Sequence, residues 1–189
     1  MKNILLKNLL EEINEREESP LQVQCYVDMD GVLVDMEDGF KKLSNGLSPK
    51  EYEAQNGKSS FWKLINRNPN FWIDLEPTPD YKVLWNYIHT NFKEPKPVIL
   101  SAGQGAKVVQ QKTDWIRQYV DTSVQVIIAS AGPKKPEYTL NVPGRVTHVL
   151  VDDTQKNIDA WNNKSEHHIA ILHTDAANSI KQLEAFLPE

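Results

Sequence analysis

Cysteine is almost missing from this chain: Cys25 is the one such residue in 189. A single thiol closes no intramolecular disulfide and excludes a cysteine-based zinc site, so a reducing, cytoplasmic setting is expected. Long apolar runs are missing too, and none approaches the roughly 20 residues that a bilayer-spanning helix needs. The apolar residues within 1–10 are followed at once by Glu11, Glu12, Glu15, Glu17 and Glu18, with no small-residue cleavage site, so no signal peptide is expected. Basic charge is in deficit: 21 Lys and Arg face 26 Asp and Glu, a formal net charge of −5. That balance gives no general attraction to nucleic acid or an anionic membrane, while leaving room for a local basic pocket. Repeats and low-complexity tracts are absent. What is present is enough apolar surface for a core, with 40% of residues hydrophobic and 25% charged. A chain of this length suits one domain carrying a modest insertion.

Residues 2–17 set Leu5, Leu6, Leu9, Leu10 and Ile13 at helical spacing among Glu and Lys. This predicts an N-terminal amphipathic helix within 1–20, ended by Pro20. Five short apolar runs follow at 21–27, 97–100, 124–129, 146–151 and 168–172, each stopping at or near a polar residue. Runs of this kind read as buried parallel strands. Between them, Val108, Val109, Lys112, Trp115, Ile116 and Tyr119 share a helical face, Ile158 and Trp161 share another, and Ile180, Leu183 and Leu187 a third. The alternation predicts an α/β fold, a Rossmann-like parallel sheet flanked by helices. The interval 36–94 is far longer than the dozen or so residues that a crossover requires. It predicts a helical cap inserted into a core of 21–35 and 95–189. Phe40, Tyr52, Phe61, Trp62, Leu64, Phe71, Trp72, Trp85 and Tyr87 are available for a small core of its own.

Parallel α/β sheets bind ligands outside the carboxyl ends of their strands. The residues where the runs stop are Asp28 and Asp30, Ser101, Ser130 with Lys134 and Lys135 after it, and Asp152 with Asp153. Carboxylates gathered on one edge raise one another's pKa unless a cation balances them. Oxygen ligands without Cys or His partners point to Mg²⁺. Asp28 and Asp30 are two apart, so an extended backbone aims both to the same side, and Gly31 then permits a turn. That arrangement suits a nucleophile, Asp28, beside a general acid/base, Asp30. An Asx turn or a calcium loop is the plain alternative, but Val32 stands where an EF-hand needs an acidic or amide residue.

The run Asp28-Met29-Asp30-Gly31-Val32-Leu33-Val34-Asp35 resembles the first motif of the haloacid dehalogenase superfamily, whose hydrolases are mostly Mg²⁺-dependent phosphatases. Ser101, with Ala102 and Gly103 after it, is similar to the phosphate-binding second motif. Val149-Leu150-Val151-Asp152-Asp153-Thr154 is similar to the acidic fourth motif. Within the superfamily the chain resembles the 5′(3′)-deoxyribonucleotidases through that first motif, through Asn70-Phe71-Trp72-Ile73-Asp74-Leu75-Glu76-Pro77, and through the stretch from Lys112 to Tyr119. The resemblance implies Mg²⁺ held by Asp28, the Asp30 backbone carbonyl and Asp153, with Asp152 direct or through water. It implies a cation before the fourth motif, for which Lys135 and Lys134 compete and a solvated surface pair is the alternative. Lys112 is either a second phosphate contact or a snorkelling helix residue.

Phe61, Trp62, Phe71 and Trp72 are placed either to stack on a nucleobase or to fill the cap. The five histidines, His89, His148, His167, His168 and His173, are assigned to structure or surface, and Cys25 to the core. Gly103-Gln104-Gly105 is short for a dinucleotide loop but is able to offer backbone N–H groups to a phosphate. The function expected is an Mg²⁺-dependent phosphatase acting on a small phosphomonoester, a (deoxy)nucleoside monophosphate, through an aspartyl-phosphate. Two alternatives stand beside it: a phosphatase for 3′-phosphorylated nucleic-acid ends, and a non-catalytic phosphate-binding or signalling module.

Overall fold

A computed structural model describes residues 21–187; the helix expected at 2–17 lies outside them. Five strands form one sheet: β1 (Gln22–Val27), β2 (Val98–Ala102), β3 (Gln125–Ala129), β4 (Val146–Asp152) and β5 (His168–Leu172). All neighbours run parallel, in the order β3-β2-β1-β4-β5. Their sequences are mostly apolar because helices cover both faces of such a sheet. Two strands differ from the sequence expectation at their ends. Ser101 and Ala102 still pair with Ile128 and Ala129, and Asp152 pairs with Leu172, so these polar residues close their strands rather than follow them.

The interval between β1 and β2 carries α1 (Met36–Leu43), α2 (Pro49–Asn56), α3 (Lys58–Arg67) and α4 (Tyr81–Asn91). The first two starts have a local cause. Asp35 accepts the Asp38 N–H at α1, and Ser48 and Glu51 form a capping box at α2 with Pro49 in the first turn. Beyond β2 come α5 (Ala106–Tyr119), a 3₁₀ helix (Gly132–Tyr138) after β3, α6 (Gln155–Asn162), α7 (Ala176–Leu183) and a closing 3₁₀ turn (Glu184–Phe186). α4 lies against α7, so this part of the interval joins the helical layer over the sheet.

The interval's aromatic residues do not build a separate core. Phe40, Phe61, Phe71, Trp72 and Trp85 belong to one buried cluster with Cys25 and Val27 of β1, Ile99 of β2 and Val149 of β4. The segment 69–78 fastens this cluster to the rest. Trp115 of α5 donates its indole N–H to the Leu75 carbonyl at 2.7 Å, and Gln111 donates to the Pro69 carbonyl at 2.7 Å and accepts the Trp72 N–H at 3.2 Å. Thr78 donates its hydroxyl to the Val32 carbonyl at 2.8 Å and its N–H to Leu33. Among the described residues no helix is long and apolar enough to cross a membrane.

Trp115 is fully buried and also makes the bond to Leu75. Trp115→Ala is therefore expected to destabilise the protein by about 3–5 kcal/mol, read from urea unfolding midpoints at unchanged m. A loss under about 1 kcal/mol would mean that the 69–78 segment is not anchored through α5.

Candidate active site

In an open parallel sheet the crevice lies where the strand order reverses, which here is between β1 and β4. Val27 pairs with Val151, so the next residues lie side by side, Asp28 just beyond β1 and Asp152 closing β4, and the Asp28 N–H still donates to the Val151 carbonyl at 2.9 Å. After Asp28 the chain doubles back: the N–H groups of Leu33 and Val34 both donate to the Met29 carbonyl, at 2.8 and 3.0 Å. Gly31 sits in this turn at φ +76°, and a Cβ there would meet Asp153 Oδ2 at 2.2 Å. The turn thus needs glycine for its dihedral and for its approach to the acidic pair.

Lys135 is carried to the crevice by the 3₁₀ helix after β3. It is fully buried, with its ammonium 2.8 Å from Asp28 Oδ2 and 2.6 Å from Asp152 Oδ2. Lys134 points to solvent. Asp152 is saturated. Besides Lys135, it accepts the Thr154 N–H at 2.9 Å and the Asn157 amide at 3.0 and 3.1 Å. Asn157 was not among the sequence candidates. Its one signal was a place in the first turn of the helix after the acidic pair, from which a side chain reaches back to the strand end. Gly132 makes room for it, since a Cβ there would lie 2.3 Å from Asn157 Oδ1.

Lys112 does not snorkel. It is fully buried in mid-α5 and donates to Asp30 Oδ2, to Ser101 Oγ at 3.1 Å and to the Ala102 carbonyl at 2.8 Å. An ammonium has three N–H groups, so none is left for a phosphate in this arrangement. Lys135 makes two such bonds and keeps one. Ser101, fully buried, accepts from Lys112, which leaves its own hydrogen to donate. Asp30 Oδ1 is buried and has no partner.

The stacking role expected of the aromatics does not suit three of the four. Phe61, Phe71 and Trp72 are 4%, 3% and 5% exposed; Phe61 packs on Phe40, Phe71 on Trp72, and Trp72 on Lys112, while Trp62, at 42%, is the one open to solvent. The histidines stand apart from the carboxylates: His148 and His168 stack across β4 and β5, and His173 bonds Ser179. Cys25 is fully buried, and burial pushes its thiol up, away from the reactive thiolate.

Among the described residues, one group of three side chains is placed to hold a metal ion: Asp28, Asp152 and Asp153 each offer an oxygen within 4.8 Å of the others. Burial, with repulsion from Asp152, pushes the Asp28 carboxyl up to about 6 despite the attraction of Lys135 and Lys112. Asp153 rises to about 7 through burial and through Asp28 and Asp152, although its outer edge meets water, which screens part of the effect. Burial also raises Asp30 against the pull of Lys112. Burial works against the charge of Lys135, but Asp28 and Asp152 outweigh it and its pKa is raised.

No protein-family model matches the chain, and no curated protein matches it. Among solved structures, it is similar to a protein described as a haloacid dehalogenase-like hydrolase from Burkholderia xenovorans LB400, with 14% identity, a TM-score of 0.53 and 90% of each chain covered. It is also similar to a dehalogenase, with 11% identity and a TM-score of 0.50 over 89% of this chain and 98% of that one. At these identities the likeness establishes the fold, which is that of the haloacid dehalogenase-like hydrolases. The narrower resemblance to deoxyribonucleotidases rests on the sequence motifs.

Two carboxyls with raised pKa stabilise the fold below their unfolded value near 3.8, and that contribution is lost as pH rises through about 6 and 7. With a chelator present, the melting temperature is expected to fall between about pH 5 and pH 7.5, and Asp153→Asn to flatten the fall. A wild-type curve that rises across this range would show that the carboxylates are not in mutual repulsion.

Proposed function

We propose that this protein is an Mg²⁺-dependent phosphatase that hydrolyses a small phosphomonoester, a (deoxy)nucleoside monophosphate, through an aspartyl-phosphate on Asp28. The observation that carries the reading is the meeting of Asp28 and Asp30, each on its own buried ammonium, at one edge of the sheet. Lys135 braces Asp28 and Lys112 braces Asp30, burial raises both carboxyls, and of the two only Asp30 keeps a buried oxygen, Oδ1, with no partner. The donor set fits Mg²⁺. It is all oxygen, and Asp28, Asp30, Asp152 and Asp153, when ionised, exceed the charge of Lys112 and Lys135 by two. The residues to hold the ion are Asp28, Asp153 and the Asp30 carbonyl, with Asp152 engaged mainly by Lys135 and Asn157. Once bound, the ion neutralises phosphoryl oxygens and lowers the repulsion that an anionic substrate would meet.

An Asp28 carboxylate oxygen attacks phosphorus as the bond from phosphorus to the ester oxygen breaks, and Asp30 gives its proton to that leaving oxygen. Asp30, now a base, takes a proton from water, whose oxygen attacks the aspartyl-phosphate and frees Asp28 and phosphate. The free N–H of Lys135 and the free hydrogen of Ser101 are the donors for the phosphoryl oxygens. The inserted stretch 36–94 serves as the cap over this edge. Trp62 is the aromatic with open surface for a nucleobase. A signalling module built on the receiver plan would place its first strand second in the sheet, whereas β1 is central here.

A phosphomonoester panel with Mg²⁺ is expected to give phosphate release from nucleoside monophosphates ahead of 3′-phosphorylated oligonucleotides, and Asp28→Asn to lose at least about 10³-fold in kcat. Phosphate release that survives Asp28→Asn would overturn the mechanism, and preference for oligonucleotide ends would overturn the substrate. Lys135→Met is expected to abolish turnover and to cost about 3–5 kcal/mol of stability by stranding two buried carboxylates, while Lys134→Met leaves both unchanged. Equal effects from the two lysines would remove Lys135 from the site.

A further inference from the structure

Trp72 lies over Lys112, with the lysine Nζ 4.1 Å from the indole centroid. That distance is within the range of a cation–π contact, which is stronger where water is excluded. Water is excluded here: Lys112 is fully buried and Trp72 nearly so. The ammonium gives its three hydrogens to Asp30 Oδ2, Ser101 Oγ and the Ala102 carbonyl, and the indole covers part of what remains. An aliphatic side chain would fill the same space but would offer no negative π-face to the cation. The backbone that carries the ring is held. Gln111, the neighbour of Lys112 on α5, accepts the Trp72 backbone N–H and donates to the Pro69 carbonyl, and Trp115, one turn on, secures Leu75. Phe71 packs edge-on against the indole at 4.9 Å.

We propose that Trp72 is a positioning residue for the phosphoryl-transfer site, acting through Lys112 to hold Asp30 and Ser101 in register; the inference rests on the phosphatase reading. By fixing the ammonium, the indole keeps the Asp30 Oδ2 oxygen engaged and Oδ1 free. The same fix commits Ser101 Oγ as an acceptor, so that its hydrogen points away from Lys112. Trp72 touches no reacting atom. Its effect is on the geometry of the two groups that give a proton and a hydrogen bond, so it changes kcat rather than binding.

The test uses the full chain, Mg²⁺ and p-nitrophenyl phosphate, which has no nucleobase to stack. Trp72→Leu is expected to lower kcat by about 10²-fold with KM within about three-fold, and Trp72→Phe, which keeps a π-face, to restore most of kcat. A second readout needs no turnover. In protein labelled with ¹⁵N-lysine, the Lys112 ammonium, identified by its absence in Lys112→Met, is expected to exchange slowly and to resonate upfield under the indole. In Trp72→Leu that signal is expected to broaden into solvent exchange. Unchanged kcat in Trp72→Leu, or a rise in KM alone, overturns the proposal, as does an unaltered slow-exchanging ammonium. If the wild-type protein releases no phosphate, the phosphatase reading fails, and the ammonium signal still decides whether Trp72 braces Lys112. Should Trp72→Leu not fold, Gln111→Ala, which releases the Trp72 N–H, is expected to show the same fall in kcat and the same faster exchange, and full activity with slow exchange would overturn the proposal.

Discussion

Four carboxylates meet at the carboxyl edge of this sheet, and the rest of the structure is arranged around keeping them there. Moving charges out of water is unfavourable enough that a buried ion pair often adds nothing to stability. Here two buried ammonium groups divide the task. Lys135 lies between Asp28 and Asp152, and Lys112 holds Asp30. Among the described residues Asp153, at the open edge, has no such ammonium partner, and its carboxyl is the one pushed up to about 7. A core of apolar residues at these positions would be more stable. Stability is given up at this edge and recovered in the apolar layers beneath.

Those layers explain how the edge stays rigid. β1 lies at the centre of the sheet, paired on both sides, so Asp28 leaves a strand that cannot shift without disturbing β2 and β4. The turn at 28–35 is then clamped from outside by Thr78 and by the Glu76 carbonyl, which accepts the Asp35 N–H. Segment 69–78 is in turn fastened to α5 through Gln111 and Trp115, on either side of Lys112. One helix thus anchors the segment that follows the inserted helices and carries the cation that orients Asp30. Packing and polar geometry are coupled in the same few side chains.

Much of the architecture was legible in the chain because it depends on patterns of period and punctuation. The five apolar runs correspond to five parallel strands, and polar residues at the carboxyl ends of β1, β2 and β4 stand at one edge of the sheet. Asp28, Asp30, Ser101, Asp152 and Asp153 were named on that basis and lie together. For the aromatics the sequence leaves two readings open, stacking or filling the cap. Phe61, Phe71 and Trp72 lie in an inserted stretch, and nothing in sequence spacing distinguishes a ring that lines a pocket from one that fills a core. Asn157 was overlooked because a lone amide in a helix carries no periodic signal.

The sequence by itself determined the class of fold and the identity of the acidic residues, because strand length, apolar continuity and the doublets at 28/30 and 152/153 are local properties. Which cation serves which carboxylate was decided only by tertiary structure. Lys134 and Lys135 are adjacent and chemically identical, and the pitch of one short 3₁₀ helix sends the second inward and the first to water. For Lys112 the sequence leaves a phosphate contact and a snorkelling helix residue open, and β1, β2 and the segment bearing Trp72 close around it instead. Charge pairing of this kind depends on distances between elements remote in the chain, and those distances exist only once the chain has folded.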